Sequence, residues 1–264
     1  AGRIVGARNF TTGGEPDADV TDEEGHGTHV AGIAAAAGNN GQGVAGVAWG
    51  VKVMPVKVLG GQAGMYDVLD GLLYAVRYAP GDGTRVRVVN MSLGIPSAAA
   101  SGFFAQALAE AREAGVLVVG AAGNDGREGP NMPSSTPLCL AVGATGHYMG
   151  WESLTAFSNY GDRLDLVAPG EDVLSTLPTG GSLMGAEYGL AGGTSMAAPY
   201  VAGVAALLAA KYDGAHTAAD ATYTDAARAR LLSAVDDLGA PGRDPVHGAG
   251  RLNARKALTP ATLN

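Results

Sequence analysis

The stretch that decides the fold runs Gly192-Gly193-Thr194-Ser195-Met196-Ala197-Ala198-Pro199-Tyr200-Val201-Ala202-Gly203. A turn of small residues presents a serine here, and a long apolar helix then begins, which we expect to continue to about Lys211. The first backbone N–H groups of a helix lack partners within the helix, so they favour a negative charge that develops beside them. Ser195 is therefore a candidate nucleophile, with its own N–H available to an oxyanion.

A nucleophilic serine needs a base, and a second stretch offers one in a similar setting. In Gly25-His26-Gly27-Thr28-His29-Val30-Ala31-Gly32 a histidine lies between two glycines, just before a helix that should end near Ala37. Two histidines three positions apart share a helix face, and such a pair alone is usually structural or metal-binding. The flanking glycines favour His26 as the residue exposed to a cleft, and His29 as a packed neighbour.

Two buried strands end in polar turns. Val116-Leu117-Val118-Val119 is entirely apolar, as in a strand covered on both faces, and it leads to Asn124. Asn124 has an ordinary interpretation as a turn residue and a functional one as an oxyanion stabiliser, which its place after a buried strand favours. Another strand is predicted at Val86–Gly94. Its end, Ser92-Leu93-Gly94, is a good place for a ligand if the sheet is parallel.

Apolar strands alternate with helices along the whole chain. A short strand or extended arm is predicted at Arg3–Phe10, and further strands at Val51–Leu59 and Cys139–Thr145. Further helices are predicted at Tyr66–Tyr78, Gly102–Ala114 (capped by Ser101) and Asp220–Val235. This alternation predicts a three-layer α/β fold, with a mostly parallel central sheet and helices on both faces. Since no repeat and no linker interrupts it, we expect a single domain over residues 1–264.

Composition excludes several classes of function. Of 264 residues, 47% are hydrophobic, which is enough for a sizeable core, and the net charge of −8 argues against nucleic acid or an anionic membrane as a partner. The single cysteine, Cys139, excludes an internal disulfide, and its apolar neighbours predict a buried residue rather than a reactive thiol. No apolar run approaches the length of a membrane span, and the first residues do not form a signal peptide.

Three of these stretches together resemble the motifs of one enzyme family. Gly-Thr-Ser-Met-Ala-x-Pro-x-Val-Ala-Gly around Ser195 and His-Gly-Thr-His-Val-Ala-Gly from His26 are similar to the serine and histidine motifs of the subtilisin-like serine proteases. Residues 118–126 resemble the oxyanion-hole segment of that family. The motifs follow the family's order, similarity extends from about residue 3 to about residue 258, and residues 39–48 are most similar to the thermitase-like branch.

The resemblance implies a subtilisin-like fold and a secreted, extracellular serine endopeptidase. Ser195 would attack the peptide carbonyl, His26 would act as general base, and Asn124 would hold the oxyanion. The substrate backbone would pair with the edge segment that includes Gly61 and Ala63. The residues implied to line substrate pockets are Met65, Val68, Ser92, Leu93, Gly94 and Gly123. Ordinary helix packing is the alternative interpretation of Met65 and Val68.

The resemblance also implies a calcium ion in the Gly/Asn loop that follows the His26 helix. By resemblance to the family, the ligands in this chain would be the carbonyl groups of Ala37, Gln42 and Val44 and the side chain of Asn40. Oxygen ligands of this kind suit Ca²⁺. A plain turn is the alternative interpretation of this loop. The family completes this site with acidic or amide residues from the N-terminal region, and Gly2 stands about where one acid is expected.

The family's catalytic aspartate lies at the end of the first core strand, and the chain begins close after the place where it is expected. Asp17, Asp19 and Asp22 precede His26 in a polar stretch without a preceding strand, so we interpret them as loop acids. Three explanations stay open: a cleaved segment that remains bound, a shortened chain, or a pseudoenzyme. The first is favoured, because loss of a central strand exposes two strand edges and a large apolar area.

The expected partners are protein or peptide substrates and the chain's own cleaved N-terminal segment or propeptide; we expect a monomer. The alternative function is a catalytically impaired or inactive pseudoprotease that binds peptides, against which the presence of His26, Asn124 and Ser195 argues. An α/β-hydrolase esterase needs Gly-x-Ser-x-Gly, which the residues on either side of Ser195 do not match.

Overall fold

The protein is described from a computed structural model over residues 2–13, 17–61, 63–95, 101–212 and 220–259. The strands in chain order are β1 Arg8–Asn9, β2 Val56–Lys57, β3 Val88–Met91, β4 Leu117–Ala121, β5 Cys139–Tyr148, β6 Trp151–Leu154, β7 Leu166–Pro169, β8 Val173–Thr176, β9 Tyr188–Ala191, β10 Val235–Asp236 and β11 Arg251–Leu252. The helices are α1 His26–Ala35, α2 Met65–Arg77, α3 Ser101–Glu113, α4 Thr194–Tyr212, α5 Ala221–Ser233 and α6 Ala254–Leu258.

The main sheet has the strand order β10-β11-β7-β5-β4-β3. The pairs from β11 to β3 are all parallel, whereas β10 joins β11 and β6 joins β5 in antiparallel fashion. In the centre Val119 pairs with Leu140 and with Asn90. The sheet is therefore mostly parallel, as the alternation of strands and helices predicts, and the carboxyl ends of its strands meet at one edge.

Strand β4 shows how the two faces of the sheet are covered. Successive side chains of a strand point to opposite faces. Leu117 and Val119 pack in the cluster that contains the buried residues of α4, whereas Val118 packs with Phe104 and Leu108 of α3 and with residues of α2. Helices thus cover both faces, and the fold is the predicted three-layer α/β arrangement.

Helix α4 is the central helix of the larger core. Most of its residues from Thr194 to Ala209 are buried, and Gly203 lies so close to Val47 that an added Cβ would be 2.6 Å from the Val47 Cβ. By length and hydropathy this helix could cross a membrane, so the expectation that no apolar run reaches that length was wrong. Because 67% of the apolar window is buried inside the protein, packing explains its composition.

Element boundaries differ from the predicted ones where pairing or capping is local. The predicted strands at 3–10 and 51–59 shorten to β1 and β2, which form a parallel pair; Asn9 of β1 also makes an antiparallel bridge with Asp17. Helix α1 ends at Ala35 because Ala36 turns to an extended backbone, with ψ of 142°. Ser101, predicted to cap α3, is its first helical residue.

Cys139 lies at the start of β5 with no exposed surface, as predicted. Burial raises the pKa of its thiol to about 12. The thiolate is the reactive form of cysteine, so this residue acts as a small core side chain.

Strands β2 and β3 each have one unpaired edge. Among the described residues β2 pairs only with β1, and β3 pairs only with β4. Helix α2 packs on both strands: Gly71 lies against Val58 and Val56, while Val68 shares a core cluster with Met91. The buried Oδ1 of Asn90, in β3, has no hydrogen-bond partner in the described part of the chain. Unpaired edges and buried orphan acceptors are both unfavourable in a folded protein.

A buried carboxylate joins the sheet to the outer helices. Asp165, just before β7, is buried, and its Oδ2 accepts hydrogen bonds from Ala141 N and Arg163 Nη1, both at 2.8 Å. Its Oδ1 accepts one from Arg228 Nη2 of α5 at 2.7 Å. Because both arginines are partly buried, removing the carboxylate would leave two positive charges without a partner.

We expect Asp165→Asn to lower the free energy of unfolding by about 3 kcal/mol or more, the usual cost of breaking a buried ion pair. Urea denaturation at pH 7 would measure the change. The matched control is Asp225→Asn, which removes the partner of Arg112 in an exposed pair and should cost about 1 kcal/mol or less. Equal losses for both variants would contradict a structural role for the Asp165 cluster.

Candidate active site

Ser195 lies in the first turn of α4, after a turn in which Gly193 has a backbone conformation that favours glycine. Gly193 has a φ of +149°, and its backbone N–H donates to Gly170 O at 2.7 Å, which fixes the turn to the end of β7. The Ser195 hydroxyl donates to Ser92 O at 3.3 Å, and the Ser92 hydroxyl donates to Ser195 O at 2.6 Å. The sequence-predicted nucleophile and the predicted pocket wall at Ser92 therefore meet.

Asn124 is held by the residue that precedes the serine. Its Oδ1 accepts two hydrogen bonds from Thr194, from the backbone N–H and from the hydroxyl, both at 2.8 Å. The same hydroxyl accepts a hydrogen bond from Gly123 N at 3.0 Å. Since no described residue accepts from Nδ2, the amide of Asn124 is oriented with its donor group free. Such a fixed, unpaired donor beside a helix N-terminus is the arrangement that stabilises an oxyanion.

The turn that carries Asn124 is built around a second, buried asparagine. Asn159 accepts hydrogen bonds from Asp125 N and Arg127 N, and its Nδ2 donates to Ala122 O at 3.1 Å. Gly123 approaches so closely that an added Cβ would be 2.5 Å from the Asn159 Nδ2. Gly123, predicted as a substrate contact, is therefore also required by the packing of this turn.

His26 is the first residue of α1, and Asp22 caps that helix. The two carboxylate oxygens of Asp22 accept hydrogen bonds from Gly25 N and from the backbone N–H and hydroxyl of Thr28, at 2.7–2.8 Å. Asp19 accepts from the backbone and hydroxyl of Thr21. These contacts agree with the interpretation of Asp19 and Asp22 as loop residues, because each carboxylate accepts hydrogen bonds only from residues of its own turn or of the following helix start.

The His26 ring is half-buried, and no described residue forms a hydrogen bond with it. Burial is the largest effect on its pKa, which lies below the ordinary value although the nearby charges of Glu24 and Asp22 oppose the shift. The ring forms no hydrogen bond with the Ser195 hydroxyl, which donates to Ser92 O instead. The predicted pair of nucleophile and base is thus not joined here; catalytic hydrogen bonds often form fully only with a substrate bound.

His29, in contrast, is a packed residue, as predicted. It has no exposed surface, and its Nε2 lies 3.0 Å from Gly189 O in β9. Helix α1 also packs near the nucleophile, because Val30 and Ile33 share a cluster with Met196. The two helices that begin with His26 and Thr194 are therefore in direct contact.

Apart from Gly123, which lies in the turn after β4, the predicted substrate residues lie on the β2, α2 and β3 side of the fold. Gly61 and Gly94 are exposed, whereas Ala63, Met65 and Leu93 are partly buried. Val68 is buried among Phe104 and Leu72, so helix packing accounts for it and leaves little surface for a substrate. A cavity of about 550 Å³ contains none of these residues; it is lined by Arg8, Phe10, Asp70, Leu73, Tyr74, Arg77, Tyr78, Ala79 and Pro80.

The loop predicted to bind calcium offers few free ligands. Asn40 and Gln42 are exposed, and the Asn40 Oδ1 already accepts a hydrogen bond from Gln42 N at 3.1 Å. Ala37 and Val44 can contribute only carbonyl groups. The described residues contain no cluster of three or more His, Cys, Asp or Glu side chains that could hold a metal ion. Since Ca²⁺ takes six to eight oxygen ligands, the residues present do not complete a site.

Three residues that position the site escaped the sequence analysis. Thr194 orients Asn124, Asn159 shapes the turn, and Asp22 caps the helix that carries His26. Polar residues in turns are common, so their type gave no signal. The position of Thr194 directly before Ser195 was the one available hint, since an N-terminal helix residue has a free N–H and hydroxyl.

Comparisons with known proteins agree with this geometry. A family model described as the subtilase family matches residues 7–250. The major intracellular serine protease of Bacillus subtilis (strain 168) is 43% identical over 216 residues, which cover 78% of this chain and 62% of that protein. Thermitase from Thermoactinomyces vulgaris is 35% identical over 260 residues, covering 98% of this chain and 82% of thermitase.

Solved structures show the same relationship. One of them is fervidolysin from Fervidobacterium pennivorans, which is described as a keratinolytic enzyme related to subtilisin. Its structure superimposes with a TM-score of 0.82 and 28% sequence identity. The alignment covers 100% of this chain and 40% of the fervidolysin chain. The chain spans between 34% and 62% of the length of several curated relatives.

We expect Glu24→Gln to lower the pKa of His26 further, because Glu24 is the strongest of the charges that stabilise the imidazolium. The neutral ring, which can act as a base, would then persist to lower pH. An NMR titration of the His26 Cε1–H resonance measures this directly. The control is Glu128→Gln, which neutralises an acid that does not contribute to the His26 pKa; an unchanged or higher pKa in Glu24→Gln would contradict the assignment.

Proposed function

This chain belongs to the subtilase family, and we propose that the protein is a serine endopeptidase that hydrolyses peptide bonds through an acyl-enzyme on Ser195. The observation that carries the proposal is the orientation of Asn124. Thr194 fixes its Oδ1, which leaves Nδ2 as a free donor next to the turn that presents Ser195. A turn residue with only a structural role would have no need of a donor that is held in place and left unpaired.

The proposed mechanism has two acyl-transfer steps. Ser195 Oγ attacks the substrate carbonyl carbon while its proton passes to His26, and the oxyanion accepts hydrogen bonds from Asn124 Nδ2 and Ser195 N. The C–N bond then breaks, and His26 returns the proton to the leaving amine. In the second step a water molecule, deprotonated by His26, attacks the carbonyl carbon of the acyl-enzyme. The ester bond to Ser195 then breaks, His26 returns the proton to Ser195 Oγ, and the acid product is released.

We propose that the carboxylate that orients His26 arrives on a strand between β2 and β3. The two unpaired edges and the orphaned Oδ1 of Asn90 support this place, because a strand there would pair with both edges. That strand could belong to a cleaved segment that stays bound or to a longer chain. If that carboxylate is absent, His26 loses its orienting partner, and turnover should fall by about 10⁴-fold.

The second candidate function is a pseudoprotease that binds peptides without cleaving them. The observation in its favour is that Ser195 donates to Ser92 and that no described carboxylate holds the His26 ring. The fixed Asn124 amide argues against it, since peptide binding alone does not require an oxyanion donor.

We also propose that the protein binds a calcium ion and that it is secreted. A calcium ion at the loop of Ala37, Asn40, Gln42 and Val44 would need further ligands from outside the described residues. Export is supported by relatives named extracellular proteases, although another relative is named an intracellular protease. We propose protein or peptide substrates, and a monomer as the active form.

We expect Asn124→Leu to reduce turnover about 10²–10³-fold with little change in KM, because it removes one oxyanion donor that acts mainly in the transition state. Steady-state kinetics on a peptide p-nitroanilide would measure it. Gln106→Leu, which removes a side-chain amide from the exposed face of α3, should leave turnover unchanged. Wild-type turnover in Asn124→Leu would disprove the assignment of this residue.

The function itself is tested by labelling with a serine-directed fluorophosphonate, followed by intact-mass and peptide analysis. We expect one adduct, on Ser195, together with a bound segment that carries the orienting aspartate. Ser195→Ala provides the unlabelled control. An unlabelled wild-type protein that contains such a segment would exclude the endopeptidase and favour the peptide-binding alternative.

A further inference from the structure

A cavity lies between the segment that contains β1 and the C-terminal half of α2. Its volume is about 550 Å³, within the range of about 300–1,000 Å³ that is usual for sites that bind small molecules. Arg8 and Phe10 line it from one side, and residues between Asp70 and Pro80 line it from the other. None of the residues assigned to the proposed catalysis lines it, so the cavity is separate from the candidate active site.

Three aromatic side chains form an apolar wall of this cavity. The Tyr74 ring lies edge-on to the rings of Phe10 and Tyr78, with centroid distances of 5.8 Å and 6.2 Å. The Tyr74 hydroxyl donates to Gly6 O at 3.2 Å. Gly6 lies directly against Tyr78, because an added Cβ would be 2.6 Å from the Tyr78 Cε2. Rings held in this way offer apolar surface that needs no rearrangement before a ligand binds.

Two opposite charges beside Tyr74 have no partner in the described part of the chain. The Arg8 guanidinium lies over the Tyr74 ring, with Cζ 6.0 Å from the ring centroid, but no described oxygen accepts a hydrogen bond from it. Asp70, one helical turn before Tyr74, lines the same cavity, and its carboxylate forms neither a hydrogen bond nor an ion pair within the described ranges. Arg77 of the same wall, in contrast, donates to both carboxylate oxygens of Glu110, at 2.6 Å and 2.8 Å.

The two free charges favour a ligand that carries both complementary charges. A carboxylate suits the planar guanidinium of Arg8, which can donate to both of its oxygens. A ligand with a carboxylate alone would be repelled by Asp70, and a ligand with an amine alone would be repelled by Arg8. Since Arg8 and Asp70 both adjoin Tyr74, the two charges of the ligand must be close together. An ammonium group and a carboxylate on one carbon atom meet this condition.

We propose that this cavity binds a free α-amino acid with an aromatic side chain. Arg8 binds the carboxylate, Asp70 binds the ammonium group, and the side chain of the ligand packs on the wall of Phe10, Tyr74 and Tyr78. This binding site goes beyond the proposed endopeptidase function and does not depend on it.

The test measures the affinity of the full-length protein for L-phenylalanine by calorimetric titration, together with three analogues that each lack one group. Glycine lacks the ring, phenylalanine amide lacks the carboxylate, and N-acetyl-L-phenylalanine lacks the ammonium group. We expect one saturable site for L-phenylalanine. Each analogue should bind about ten-fold more weakly or worse, the scale of one charge-assisted hydrogen bond or one buried apolar side chain.

Two variants assign the charges. Arg8→Gln should weaken binding of L-phenylalanine about ten-fold or more without weakening that of phenylalanine amide, which has no carboxylate. Asp70→Asn should weaken binding of L-phenylalanine by a similar factor without weakening that of N-acetyl-L-phenylalanine. Since neither side chain bonds to another described residue, both variants should keep the wild-type melting temperature. The matched control is Arg255→Gln, which removes an exposed arginine of α6 and should leave every affinity unchanged.

A folded wild-type protein without saturable binding of L-phenylalanine would overturn the inference, and so would equal affinities for L-phenylalanine and its three analogues. Equal losses in Arg8→Gln and Arg255→Gln would also overturn it, because binding would then depend on overall charge and not on the cavity. The titrations require no cleavage of a substrate, so each of these results would leave the proposed endopeptidase function intact. A protein that binds L-phenylalanine but fails to react at Ser195 would overturn the proposed function alone.

Discussion

The site depends on one set of hydrogen bonds that joins two turns from distant parts of the chain. Thr194 donates twice to Asn124 Oδ1 and accepts from Gly123 N, so the end of β4 and the start of α4 are fixed to each other. The distances of 2.8–3.0 Å leave little freedom for either turn. Because the amide oxygen is fully used, the amide nitrogen must face away from Thr194, and the orientation of the proposed oxyanion donor follows from folding rather than from substrate binding.

The buried environment of α4 makes this arrangement rigid. The helix packs on the face of the sheet formed by Leu117, Val119 and Leu140, and on the other side it contacts α1. A residue in the first turn of such a helix cannot move without moving the core. The same contact couples His26 and Ser195 indirectly, since each lies in the first turn of one of two helices that pack together.

Much of this could be predicted from the sequence because the informative signals are local. Val116–Val119 is continuously apolar, so it had to be a buried strand, and the Gly-rich turns before His26 and Ser195 had to present the following residue at a helix start. Thr194 and Asn159 could not be assigned, because their roles depend on partners 70 and 37 residues away. The short lengths of β1 and β2 were also unpredictable, since strand length is set by the neighbour that pairs with it.

The strand proposed between β2 and β3 would account for both the open edges and the unsupported histidine. Strands β2 and β3 lie under the same helix, α2, yet within the described ranges each pairs on one side only, and the buried Asn90 Oδ1 at β3 finds no donor there. A strand that completed the sheet would remove both edges, and its carboxyl end would lie at the sheet edge where the turns of Ser92 and Asn124 meet. A carboxylate there could reach the catalytic cleft. The segment that satisfies the backbone would thus also supply the charge that the proposed base needs, so that stability of the sheet and competence of the site would depend on the same chain segment.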